Sequence, residues 1–164
     1  VVKKYGNDIN TDYIIPAYLL QESWDKQFFA DHAFERYDPS FVPACRAGAN
    51  NIVIGGENFG CGSSREQAVY AIKYNNVIAI VAQSFPDIFF RNSLNNGLLP
   101  IQIKDTSAIA VSDELEIDLE KRLLINITRG EEHRIIVTEM TMDQMNGGTL
   151  GYVKERLRQK LKAS

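Results

Sequence analysis

The sequence predicts an α/β fold: a short parallel β-α-β-α-β core, followed by antiparallel strands and a C-terminal helix. Three observations carry this. Short apolar runs stand at Asn51–Ile54, Val77–Ala82 and Leu98–Ile103. The two intervals between them have helical spacing and cap signals, the pattern of a small parallel sheet with crossover helices. After Asp105 the pattern changes to alternating runs, with Gly130 between the last two. At 164 residues, 45% hydrophobic and 24% charged, the chain is expected to form a single domain over residues 1–164.

Val1 to Pro16 reads as a short strand and then a loop, because Gly6-Asn7-Asp8-Ile9-Asn10-Thr11-Asp12 is rich in turn formers. Trp24 to Phe34 reads as one or two helical turns with aromatic anchors. Tyr37 to Gly48, with two prolines, reads as a connection. The first apolar strand runs into a glycine-rich loop, Gly55 to Gly62. Ser63 and Ser64 are both candidate N-caps of the helix that follows, since Ser63-x-x-Glu66 and Ser64-x-x-Gln67 each fit a capping box. That helix runs to about Asn75, with Ala68, Ala71 and Ile72 on one face. After the strand Val77–Ala82, Ser84 is expected to cap a second helix, with Pro86 in its first turn and Gly97 closing it. Leu98–Ile103 is the third strand. Glu114–Leu119, Leu123–Thr128 and Arg134–Glu139 follow as antiparallel strands, and Met142–Met145 as a turn of helix. Tyr152–Leu161 is a basic amphipathic helix with Val153, Leu157 and Leu161 at i, i+4 and i+8. Its narrow apolar stripe suits a lid on the core better than a membrane surface.

Composition removes several function classes. A net charge of −3 lacks the basic field a nucleic-acid partner requires. The longest apolar run, Val77–Ala82, is far too short to span a bilayer. Val1 to Gly6 contains no apolar core of a secretion signal, so a cytoplasmic location is expected. Cys45 and Cys61 are expected as free thiols in a reducing compartment. Two thiols cannot hold an iron–sulfur cluster alone, and His32 and His133 form no metal-binding pattern, so no metal is expected on this chain. The sequon at Asn126 lies in a strand-like run and is treated as a chance match.

A strand, a glycine loop and a helix start together make an anion site, because backbone N–H groups and the positive end of the helix dipole face outward. The named motifs do not fit. A P-loop needs Lys where Gly62 stands, the dinucleotide fingerprint needs Gly where Arg65 stands, and the spacing of a nucleophile elbow is absent. Two readings remain. Either Ser63 and Ser64 only cap the helix and Arg65 pairs with Glu66 or solvent, or the three receive a carboxylate or phosphate, which Arg65 would bind bidentately.

The run Gly56-Glu57-Asn58-Phe59-Gly60-Cys61-Gly62-Ser63-Ser64-Arg65-Glu66-Gln67-Ala68 resembles the signature of the swivelling domain of aconitase-type hydro-lyases. Asp8 to Pro16 resembles that family's N-terminal loop. Ser84-Phe85, Arg91-Asn92 and Asn96 to Pro100 resemble its second helix and third strand. The short length resembles a detached small subunit. The resemblance implies catalytic roles for Ser63, as the base that takes a proton from the carbon beside a carboxylate, and for Asp12. It implies that Ser64 and Arg65 bind a substrate carboxylate. It also implies a [4Fe–4S] cluster acting on the departing hydroxyl. With two cysteines here, that cluster is expected on a larger partner subunit, in a heterodimer or heterotetramer.

Family members that accept an additional carboxylate carry Arg where this chain has Leu20. Leucine cannot pair with a carboxylate but packs on an alkyl group, and burying an unpaired carboxylate against it is costly. A branched malate is therefore expected, isopropylmalate before homoaconitate or citrate, with methylmalate and dimethylmalate open. Leu20 is alternatively a core residue. A non-catalytic anion-binding module is the rival from another class.

Overall fold

The computed structural model describes residues 1–137. The turn expected at Met142–Met145, the helix at Tyr152–Leu161 and the end of the strand at Arg134–Glu139 lie outside the described residues. Within them the elements are β1 (Lys3–Lys4), α1 (Thr11–Ile14), a 3-10 turn (Ala17–Gln21), α2 (Lys26–Asp31), α3 (Phe41–Arg46), β2 (Asn51–Ile54), α4 (Glu66–Lys73), β3 (Val77–Ala82), α5 (Asp87–Asn95), β4 (Leu99–Gln102), β5 (Leu115–Asp118), β6 (Leu123–Asn126) and β7 (Glu131–Arg134). No helix among the described residues is long and apolar enough to cross a membrane.

Strands β1 to β4 form a parallel sheet in sequence order, and β5 to β7 an antiparallel one, as expected. Parallel neighbours need a crossover, and α4 and α5 supply it for β2–β3 and β3–β4. The parallel sheet is buried on both faces, which is why its strands read as unbroken apolar runs. Val53 and Ile80 pack on one side with Ile14, Phe34 and Phe41, whereas Ile52, Ile54, Ala79 and Val81 pack on the other with Phe90 and Leu94. The register pairs Val53 with Ile80 and Ile54 with Val81, so partners share a face. Each such large side chain stabilises the fold by roughly 1.5–3 kcal/mol when fully buried. Pro100 is tolerated because β4 lies at the sheet edge. Gly97 ends α5 as expected. At φ +71 it lets its own N–H reach Leu94 O (3.0 Å) and the Leu98 N–H reach Ser93 O (2.9 Å), the two bonds of a Schellman motif.

Several expectations are corrected. The loop through Asp12 contains α1, because the Asn10 side chain accepts the Asp12 N–H at 2.9 Å and caps it. The connection at Tyr37–Gly48 contains α3, where Pro43 falls in the first turn and its missing N–H breaks no helical bond. Trp24 is 93% exposed and anchors nothing, while Phe29 and Phe34 are buried. Ser84 does not cap α5. Pro86 holds the cap position in an extended conformation, and Ser84 Oγ accepts the Asn58 N–H at 2.7 Å instead. The last described strand is Glu131–Arg134 rather than one starting at Arg134, because the turn at Gly130 (φ +69) already brings Glu131 opposite Asn126. Asn126 itself is fully buried and donates to Asp113 at 2.8 Å, which leaves its sequon closed to a glycan.

Candidate active site

Because β1, β2 and β3 are parallel, the loops leaving them emerge on one edge of the sheet. That edge is the carboxyl end of the strands, the end at which α/β sheets carry their ligand-binding loops, although the order β1-β2-β3-β4 has no reversal to open a crevice. Here the loops are stitched together. The Asp8 N–H donates to Glu57 O (2.9 Å), Gly60 N–H to Ile9 O (2.7 Å) and Thr11 N–H to Cys61 O (2.7 Å). Asn58 Nδ2 donates to Asp8 Oδ1 (2.8 Å), and the Ser63 N–H to Thr11 Oγ1 (3.1 Å). Several glycines of this loop leave no room for a side chain, and two of them also have positive φ. A Cβ on Gly60 (φ +84) would lie 2.2 Å from the Phe89 ring, and one on Gly62 (φ +97) 2.5 Å from Asn10 Oδ1.

The capping role expected of Ser63 and Ser64 is corrected. Arg65 stands at the cap position of α4, extended at φ −123 and ψ 113, with no side-chain cap bond. Ser63 is pulled elsewhere: its N–H goes to Thr11, and its Oγ accepts from Arg65 Nη2 at 3.3 Å. Arg65, only 14% exposed, also pairs through Nη1 with Asp12 Oδ1 and reaches Ile15 O at 3.5 Å. Of the two open readings, the one that pairs Arg65 with Glu66 or solvent does not hold: Arg65 pairs with Asp12, and Glu66 accepts from the Tyr70 hydroxyl at 3.0 Å. The structure thus brings Asp12, Ser63 and Arg65 together from segments more than 50 residues apart. Ser64 is exposed beside them in the chain. Leu20 lies in the 3-10 turn, half-buried, and packs against the core.

An arginine ahead of a helix start opposes the helix dipole, and the Asp12 carboxylate compensates it. The guanidinium then holds two oxygens of the chain on one side and the serine hydroxyl on the other. A cation 3.3 Å from Oγ lowers the cost of a negative charge on that oxygen. The same guanidinium and the N-terminal end of α4 are groups with the charge and donors to receive a carboxylate.

The described residues do not fit an iron–sulfur cluster. Cys45 is fully buried, and burial pushes its thiol up to about 12. Cys61 is partly buried and also raised, first by burial and then by Asp8. Among the described residues no group of three or more His, Cys, Asp or Glu could hold a metal ion. His32 is instead bonded to Glu35 at 2.8 Å. Asn10, Thr11 and Ser84 support the site through hydrogen bonds that sequence patterns do not assign to them, since those patterns place Asn10 and Thr11 in a loop and Ser84 at a helix cap. A polar side chain in a turn reads the same whether it clamps a neighbouring loop or faces water.

Comparison with known proteins places these loops in context. Residues 31–106 match the aconitase C-terminal domain. The 3-isopropylmalate dehydratase small subunit 2 of Archaeoglobus fulgidus is 42% identical over 93% of this chain and 92% of its own length. The methanogen homoaconitase small subunit of Methanocaldococcus jannaschii is 39% identical over 93% of this chain and 89% of its own. A crystal structure of 3-isopropylmalate dehydratase (LeuD) from the same organism superposes with a TM-score of 0.78, at 36% identity, over 99% of this chain and 96% of that one.

Proposed function

This chain belongs to the family of 3-isopropylmalate dehydratase small subunits, and we propose that it works as one. It supplies the proton-transfer and carboxylate-binding half of a hydro-lyase that interconverts 2- and 3-isopropylmalate in leucine biosynthesis, through a dehydrated intermediate. The observation that carries this is the Asp12–Arg65–Ser63 constellation on the binding edge of the sheet. Ser63 takes the proton from the carbon next to the one that loses its hydroxyl; on rehydration, with water added at the first carbon, it gives a proton to the second, so that hydrogen and hydroxyl exchange places. Arg65 stabilises the serine oxygen and, with Ser64, receives the carboxylate. Asp12 holds the guanidinium in place. The iron–sulfur cluster of the family is assigned to a large partner subunit, in the cytoplasm.

Leu20 favours an alkyl substituent over the extra carboxylate of homoaconitate, although a homoaconitase small subunit is among the relatives. The test is to assay this chain alone, the large subunit alone and the mixture on both substrates. Turnover is expected only in the mixture, with the higher kcat/KM on isopropylmalate. Ser63→Ala in the mixture is expected to lower kcat at least about 10²-fold. Turnover by this chain alone, or a Ser63→Ala complex at wild-type rate, overturns the assignment.

A further inference from the structure

Gly62 is held by its neighbours on both sides, and both bonds lead to one residue. The Thr11 N–H donates to Cys61 O at 2.7 Å, and Thr11 Oγ1 accepts the Ser63 N–H at 3.1 Å. Thr11 is fully buried, so its hydroxyl has no direct access to solvent and its position is set by packing. We propose that Thr11 is the positioning residue of Ser63, fixing through the Ser63 amide where the serine hydroxyl sits against Arg65.

The physical case starts from Gly62, whose φ of +97 lies where glycine sits without strain and side-chain-bearing residues do not. A serine following such a glycine takes its direction from whatever restrains the intervening peptides. Both restraints come from Thr11. The next residue, Asp12, holds the other partner, because its carboxylate pairs with Arg65. Adjacent residues of one short helix therefore set the two ends of the Oγ–Nη2 contact: Thr11 sets the serine through the main chain, and Asp12 sets the arginine through its side chain. The exposed Ser63 could otherwise satisfy its N–H with water, so the bond to Thr11 determines geometry more than it contributes to stability.

The inference rests on Ser63 being the proton-transfer group, and the test separates the two. Thr11→Val keeps the shape and removes the acceptor; Thr11→Ser keeps the acceptor. In the complex with the large subunit, Thr11→Val is expected to lower kcat by about 10- to 100-fold with KM within about threefold. Thr11→Ser is expected to restore kcat to within about threefold of wild type. The Thr11→Val/Ser63→Ala double variant is expected to be no slower than Ser63→Ala alone, because both act through one hydroxyl. If Thr11→Val does not assemble, Thr11→Ala is read in the same way. A kcat near wild type for Thr11→Val or Thr11→Ala, no rescue by serine, or a further loss in the double variant overturns the role of Thr11 while the reading of Ser63 stands. A Ser63→Ala complex at wild-type rate overturns both.

Discussion

At Arg65 one guanidinium serves three oxygens, those of Asp12, Ile15 and Ser63. That division of labour needs a planar fork, since a lysine ammonium is a point charge that cannot hold a carboxylate and a hydroxyl in fixed directions. Arg65→Lys is therefore expected to weaken substrate capture by about 2–3 kcal/mol in kcat/KM. Steady-state kinetics of the complex checks this, and an unchanged kcat/KM would show that Arg65 serves the protein's own oxygens and points away from the substrate. Leu20 poses a different question, because its side chain packs on the core while its 3-10 turn continues the segment that carries Asp12. If the substituent pocket is formed by this turn, one or two methyl contacts discriminate by roughly 1–3 kcal/mol. Leu20→Arg is then expected to lower activity on isopropylmalate and raise it on homoaconitate, read as the ratio of kcat/KM values in competition. An unchanged ratio makes Leu20 a core residue and nothing more.

Among the described elements, the glycine loop is one whose backbone leaves little room for a side chain. Gly62 combines a positive φ with a missing Cβ that would strike the Asn10 side chain, and Asn10 also caps α1. Gly62→Ala thus presses on the cap of one element and the conformation of another. The expected cost is about 1–3 kcal/mol in stability, with a larger loss of kcat because Ser63 follows directly. Urea unfolding and steady-state kinetics on the same variant separate the two effects. Equal losses in both would mean that the loop is scaffold rather than site. Gly97, at the end of α5, is a purely local counterpart: its left-handed conformation serves a Schellman motif within its own helix.

Across the whole molecule, the acid limit of stability points to Asp113. It lies ahead of β5 and is nearly buried. Its carboxylate accepts from the Ala110 N–H (2.8 Å), Asn126 Nδ2 (2.8 Å) and Arg129 Nε (2.9 Å), tying the start of the antiparallel sheet to its central strand. The Ala110 N–H first, then Asn126 and Arg129, hold it at about 2, below the ordinary 3.8. A carboxylate depressed in the folded state contributes stability above its unfolded value and loses it as pH falls through the folded one. The loss belongs between about pH 4 and pH 2. Asp113→Asn is expected to flatten the stability profile in that window, measured by urea midpoints against pH; an unchanged slope would place the acid transition elsewhere. What the sequence determined by itself is what local chemistry encodes. The strands at Asn51–Ile54 and Val77–Ala82 have the bounds their apolar runs imply, the helices fall between the strands, and Gly97 stops α5. The family resemblance of two separate stretches, Asp8 to Pro16 and Gly56 to Ala68, singles out Asp12, Ser63 and Arg65, which the fold brings into contact. Only the tertiary structure decided which partner each polar group takes. Ser63 and Ser84 look like caps in the sequence, but each is engaged by a loop from another strand, and the helices begin without them. Local patterns rank the partners within a few residues of a side chain. Thr11 comes from α1 and Asn58 from the loop after β2, and folding around the buried sheet brings them closer than the caps the serines could have served.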